Sequence, residues 1–446
     1  MSQPAATGPI TYARVAAIAL PVVLSNAMVP LQGAIDTAVI GNLGAASYLA
    51  AVALGSTVIH LLFVIFNFLQ MGVSGLTAQA LGADDRRRVM NTLVRAGIIA
   101  LAVAALLIAA KLPLRSAAIG LFEGSDEALL LAGAYVDIRI WGAPAELMNY
   151  ALMGWFAGQG LTRRLFEMQV VTSLVNIALN LIFVLGFGWG VEGVALGTVL
   201  AAFTGSGIGF WRVRQRAGDL APQDWRFEWA RILNPVELRQ VMALNRDIMI
   251  RTLMLTGGFA WLTRLGSLQG DVVLAANGVL LQFLYLSSHA LDGFALAAEA
   301  LVGQALGARS RTRLRRAVVV STVSALVLAA AIAVALTLVS GPLIRLFTNV
   351  EAVRAVASGH ALWATALPLV AVLAYQFDGI FIGATEGAMM RNAMIVAAAV
   401  FFPLGYVMTE AFGNHGLWGA LWVWMALRAG TLAVCYPRLE ARAGPA

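Results

Sequence analysis

The chain has 446 residues, of which 60% are hydrophobic and only 12% charged, whereas soluble domains carry about 25% charged residues. Mean hydropathy is +0.82 and formal net charge +7, which together exclude a soluble enzyme and a disordered chain. Cys435 is the only cysteine, so a disulfide-built secreted domain is excluded as well.

Residues 1–10 lack the charged region and cleavage site of a signal peptide, and Tyr12 reads as the start of a membrane span. Apolar runs of the ~20 residues that cross a bilayer recur from there to the end. They predict twelve spans, at 12–40, 48–81, 91–111, 128–157, 166–187, 190–212, 238–267, 272–306, 314–340, 353–386, 391–412 and 416–437. The runs are continuous rather than alternating, which excludes a closed β-barrel. Pro21, Pro144, Pro368 and Pro403 lie inside spans, where neighbouring helices can satisfy the backbone they free.

With both termini in the cytoplasm, 23 arginines fall on inner segments and 5 basic residues on outer ones. That imbalance sets the expected topology and reads the positive charge as cytoplasmic loops rather than nucleic-acid binding. Adding 225 to a residue number brings similar sequence back: Gln79-Ala80-Leu81-Gly82-Ala83 meets Gln304-Ala305-Leu306-Gly307-Ala308, and Phe156 and Gly158 meet Phe381 and Gly383. The repeat predicts two six-span lobes of the same topology, residues 1–214 and 238–446, joined by a cytoplasmic linker at 215–237.

Ionisable groups within spans are expensive in lipid and so are candidates for function. Asp36 stands in the first span, with Arg14, well over one turn away, as the nearest preceding charge. A carboxylate in that setting can exchange a proton; a wetted position near the span's outer end is the plain alternative. Asn176 and Asn180 share one face of the fifth span, and Thr198 lies in the sixth. Their oxygens suit a hydrogen-bond network or a small cation, and equally suit interhelical packing. Asp137, Arg139 and Glu146 form a mixed group in the fourth span, where Arg139 is expected to neutralise an acid. Arg246, Asp247 and Arg251 open the seventh span and are expected at the inner interface. The second half has Asp292 and Glu299 two turns apart in the eighth span, one turn after His289, and Asp378 in the tenth. Salt bridges to bundle arginines are the plain reading of these acids. No HExxH, Walker A or GxSxG motif occurs, so metal-dependent hydrolysis, direct ATP coupling and a nucleophile elbow have no support.

The segments Ala34-Ile35-Asp36-Thr37-Ala38-Val39-Ile40-Gly41, Gln79 to Ala83, Ile138 to Ala145, Asn176 to Asn180, His289 to Gln304 and Gln376 to Ala384 resemble the MATE (multidrug and toxic compound extrusion) transporters, in the DinF branch. The resemblance implies an all-α integral membrane protein with twelve helices in two pseudo-symmetric six-helix lobes. It implies an antiporter, not an enzyme, that exports organic and often cationic amphiphilic compounds in exchange for H⁺ or Na⁺. It assigns Asp36, Asn176, Asn180 and Thr198 to ion coupling and Pro21 to a bend in the first helix. Asp292, Glu299 and Asp378 become candidates for C-lobe coupling or substrate contact. Some relatives carry aspartate where this chain has Asn180, which favours H⁺ over Na⁺ here. The expected setting is a bacterial inner membrane, as a monomer with lipid and small-molecule partners, no nucleic acid and no cofactor beyond the coupling ion. A lipid or lipid-linked precursor flippase of the same larger superfamily is the alternative.

Overall fold

The computed structural model describes residues 8–41, 46–120, 122, 125–220 and 229–444. Every regular element among them is helical. The helices are α1 (Tyr12–Gly41), α2 (Ala46–Val64), α3 (Phe68–Gly82), α4 (Arg86–Ala109), α5 (Lys111–Ile119), α6 (Asp126–Arg139), α7 (Ala143–Gly158) and α8 (Thr162–Asn180). They continue with α9 (Gly190–Leu220), α10 (Trp229–Ile232), α11 (Pro235–Ser267), α12 (Asp271–Gly307), α13 (Arg311–Phe347), α14 (Glu351–Gly383) and α15 (Gly387–Ala441).

Twelve passages result among the described residues. A 3₁₀ turn at Ile65–Asn67 joins α2 to α3, and another at Ile140–Gly142 joins α6 to α7. α8 runs on through a π-helical turn at Leu181–Gly186. α15 is two passages meeting at Gly413, whose φ of 57° and ψ of −137° leave helical space. The short helix α5 lies outside the expected spans. The expected linker is largely helical where described: α9 reaches Leu220, and α10 and α11 follow; 221–228 lie outside the described residues.

The repeat read from sequence is built into the backbone at the same offset of 225. Asp84 and Arg309 both have positive φ, at 55° and 51°, and Gly160 and Thr385 match at 72° and 56°. The next residues, Asp85 and Ser310, each cap a helix: their side chains accept from the backbone N–H of Arg88 (2.9 Å) and Arg313 (3.4 Å). Close helix crossings repeat too. A Cβ at Gly154 would strike the Gln70 carbonyl and one at Gly158 the Ser74 carbonyl; Gly379 and Gly383 stand in the same way against Ala295 and Glu299. These are paired small-xxx-small seams, in which missing side chains let backbones touch.

The chain divides into two compact units. One, here the N-unit, holds Leu24–Ala80 and Asp85–Arg239. The other, the C-unit, holds Met1–Val23, Leu81–Asp84 and Gln240–Ala446. The boundary therefore runs through α1, two residues after Pro21, instead of leaving the first helix whole with the first half. The reason lies in the C-unit's contacts. The backbone of Gly293 approaches Ala19 so closely that a Cβ there would lie 2.7 Å from its carbonyl oxygen. Arg14 donates to Gln304 Oε1 at 3.3 Å, and Arg316 donates to the Ile10 carbonyl at 3.1 Å. Gly82 likewise abuts the Gln304 carbonyl, so the Leu81–Ala83 end of the first Gln-Ala-Leu-Gly-Ala motif meets the second copy within this unit.

The cores are aromatic. In the C-unit Phe401 stacks on Trp424 with centroids 4.6 Å apart, beside fully buried Phe283 and Trp418. In the N-unit buried Trp155 donates its indole N–H to the Val89 carbonyl at 2.9 Å. Among the described residues, eight helical runs are long and apolar enough to cross a bilayer by length and composition, and apolar side chains such as Val434, Leu338 and Leu346 point outward. This is the surface of a multi-pass membrane protein.

Candidate functional site

The N-unit brings together four residues predicted from sequence. Asp36, half-buried on α1, accepts a hydrogen bond on Oδ1 from Asn180 Nδ2 at 2.7 Å. The same amide donates to Asn176 Oδ1 at 3.2 Å. Asn176 donates to Thr198 Oγ1 at 3.0 Å, and Thr198 donates to the Val194 carbonyl at 2.8 Å. Both asparagines are fully buried. A carboxylate can only accept, so this contact fixes the Asn180 amide orientation, and from Asn180 onward the donors run away from Asp36, through Asn176 and Thr198 to the Val194 carbonyl.

The scaffold explains the approach. Gly197 on α9 has no side chain, and a Cβ there would collide with Asn180 Oδ1. That oxygen is buried with no hydrogen-bond donor among the described residues. The π turn at Leu181–Gly186 starts directly after Asn180; such turns widen a helix and often mark functional positions. The link of Arg139 to this site was not legible in sequence: from α6 its charge acts on Asp36 while it pairs with Glu146 at 3.2 Å. It thus neutralises an acid as expected, and Asp137 takes a different cation, Arg115 of α5, at 2.7 Å.

The C-unit treats its acids unequally. Asp378, buried on α14, accepts on one oxygen from Arg251 of α11 and from Arg428 of α15, the latter at 2.8 Å. Arg251 was expected at the inner interface; it is only 6% exposed and belongs to this triad. Arg246 and Asp247 do pair with each other, at 3.0 Å, and Asp247 also binds Arg391 at 2.7 Å. The seam residue Gly379 sets the position of Asp378, because it seats α14 against α12 at Ala295. Glu299 is buried on α12 at the second seam, opposite Gly383. Asp292 lies in mid-helix on α12, and no hydrogen bond or ion pair reaches its carboxylate among the described residues. Pro21 lies within an unbroken α1. No cluster of three or more His, Cys, Asp or Glu that could hold a metal occurs among the described residues.

The family model MatE matches this chain twice, over residues 21–182 and 248–407. The chain is 38% identical to DNA damage-inducible protein F of Escherichia coli K12 over 427 residues, covering 94% of this chain and 91% of that one. It is 32% identical to a probable multidrug resistance protein NorM of Bradyrhizobium diazoefficiens, covering 89% and 85%. Its fold superposes on the outward-facing conformation of a multidrug resistance MATE family transporter of the MOP superfamily with a TM-score of 0.85, at 21% identity, covering 97% and 96%.

Proposed function

Because the chain belongs to the MatE family, in its DinF branch, we propose that it is an antiporter exporting organic cations in exchange for protons taken up at Asp36. The supporting observation is the hydrogen-bonded chain from Asp36 through Asn180 and Asn176 to Thr198. It ends on a single carboxylate and leaves one buried amide oxygen without a donor among the described residues.

A proton needs only that carboxylate and partners that tolerate its neutral form. A bound Na⁺ needs several oxygens converging at once, and one carboxylate offsets its desolvation less well than two. With Asn180 neutral, the proton is the better fit. When Asp36 takes up a proton, its attraction to the Asn180 amide and to Arg139 weakens. The donor chain then repacks, and the C-terminal part of α1 with it; we assign the release of substrate to this repacking. The protein works in a bacterial inner membrane with both termini in the cytoplasm, as the arginine asymmetry supports.

The test is efflux of a fluorescent organic cation from cells expressing the protein. Expression lowers dye accumulation, Asp36→Asn at equal abundance restores it, and dye retention equal to that of empty cells by the wild type rejects the reading.

A further inference from the structure

Beside the turn between α13 and α14 lies a pocket of about 360 Å³ that the coupling site does not use. The last turns of α13 line it with Gly341, Ile344 and Arg345, and the first turns of α14 with Glu351, Arg354 and Ser358. Their spacings put each set on one face of its helix. All six residues belong to the C-unit. Gly341 adds room, because a Cβ there would meet nothing within 4 Å.

The arginine asymmetry places this turn on the outer side, where basic residues are disfavoured. Only 5 basic residues fall on outer segments, and Arg345 and Arg354 are two of them. The duplicated scaffold requires neither: the positions 225 earlier hold Gly120 and Leu129. Arg345 is exposed, and its guanidinium makes no hydrogen bond or ion pair among the described residues. Arg354 donates to the Thr348 carbonyl at 2.8 Å and to the Arg345 carbonyl at 3.4 Å, which holds it in place. The one acid, Glu351, stands 3.7 Å from Arg354 with its side chain 87% exposed. Such a solvent-facing pair contributes little. Two guanidiniums against one carboxylate leave the pocket with a single net positive charge.

Away from the pocket, both helices present apolar side chains outward. On α13, Val334, Leu338, Gly341 and Arg345 follow at i, i+4, i+7 and i+11, and Val334 and Leu338 are exposed. On α14, Leu362 and Leu369 follow Ser358 at i+4 and i+11 and are exposed too. Val334 to Arg345 is about 16 Å of helix, close to the ~15 Å of hydrocarbon in one leaflet. A cationic pocket heading an apolar face one leaflet long matches an anionic lipid, head and chain together.

We propose that this pocket binds the phosphodiester of an anionic glycerophospholipid from the outer leaflet, with an acyl chain along Val334 and Leu338. Arg345 and Arg354 take the phosphate oxygens. A phosphodiester carries one negative charge and so balances the pocket. A headgroup that also carries an ammonium brings that cation up against Arg345 and is disfavoured. The site is separate from Asp36. It depends on the orientation above for the choice of leaflet and not on the export reading.

The experiment uses the full-length protein in nanodiscs with phosphatidylglycerol or phosphatidylethanolamine bearing the same photoactivatable acyl chain. Adducts on residues 334–362 are mapped by mass spectrometry and normalised to those around Val407, an exposed residue of α15. Phosphatidylglycerol labels the segment about tenfold more than phosphatidylethanolamine, the worth of one partly screened charge pair. Arg345→Gln abolishes the excess, and Arg345→Lys keeps it. Gly341→Leu fills the pocket with both arginines in place and abolishes it as well. Arg345 supports no other group, so unchanged melting temperatures are expected and separate lost binding from lost folding. Equal labelling by the two lipids, or an excess that survives Arg345→Gln, rejects the site. Inorganic phosphate in excess leaves the labelling unchanged; displacement by it would make the occupant a free anion and overturn the lipid assignment.

Discussion

At the scale of single residues, Asp36 and Asp378 invite the same substitution and predict different failures. Asp36→Asn removes the titrating group but keeps the amide geometry around Asn180, so the protein should fold with unchanged melting temperature and lose proton-driven export. Asp378→Asn leaves Arg251 and Arg428 facing each other in a buried site. Stranding buried charges costs about 3–5 kcal/mol, so this variant should show a lowered melting temperature and abundance, with coupling intact in whatever fraction folds. A thermal melt beside a transport assay separates them, and a stable Asp378→Asn would remove the structural role given to the triad. Asn180→Asp is the third test. Two carboxylates sharing the site should make export respond to Na⁺, where the wild type does not. The members of the N-unit site were legible because each is a polar interruption of an apolar run. The partners of Asp378 were not. Arg251 is 127 residues away, and no periodicity on one helix tells which residue of another it will meet. Arg251 also follows Arg246 and Asp247 closely enough to look like part of an interfacial cluster.

Elements show where sequence reading is strong. Spans and their order follow from apolar run length alone, which is why twelve passages were expected and are found. The breaks were invisible. The 3₁₀ turn at Ile65–Asn67 contains neither glycine nor proline; the one at Ile140–Gly142 ends on a glycine two residues before Pro144 and the π turn ends on Gly186, but glycines and prolines recur inside unbroken spans and so mark no break by themselves. The glycine seams lead to a fourth prediction. Gly379→Val places a side chain into the Ala295 carbonyl and pushes α14 from α12, carrying Asp378 away from its arginines. Gly278→Val, where a Cβ meets nothing within 4 Å, is the matched control. The first should abolish stable protein and the second should not. The repeat adds a subtler test at Thr385, which holds a positive φ that its counterpart Gly160 holds without strain. A side chain in that region costs about 1 kcal/mol, so Thr385→Gly should raise the melting temperature slightly and Gly160→Thr should lower it.

On the scale of the whole molecule, the duplicated scaffold carries unduplicated chemistry. Adding 225 to Asp36 reaches Trp261, and subtracting it from Asp292 and Asp378 reaches Asn67 and Met153. Turns, caps and glycine seams repeat because they hold the fold. The acids do not repeat, which predicts different work for the two halves, and this asymmetry could be read from the sequence once the offset was known. The arginine asymmetry predicts orientation. In a Cys435→Ser background, cysteines at Leu268 and Asn349 should react with impermeant reagents from outside, and one at Arg309 only after permeabilisation. The central claim, proton-driven export through Asp36, is tested most directly in proteoliposomes given a pH gradient with Na⁺ rigorously removed. The account predicts transport of an organic cation against the proton flow, lost in Asp36→Asn. Transport that vanishes under the pH gradient and returns with an inward Na⁺ gradient would contradict it.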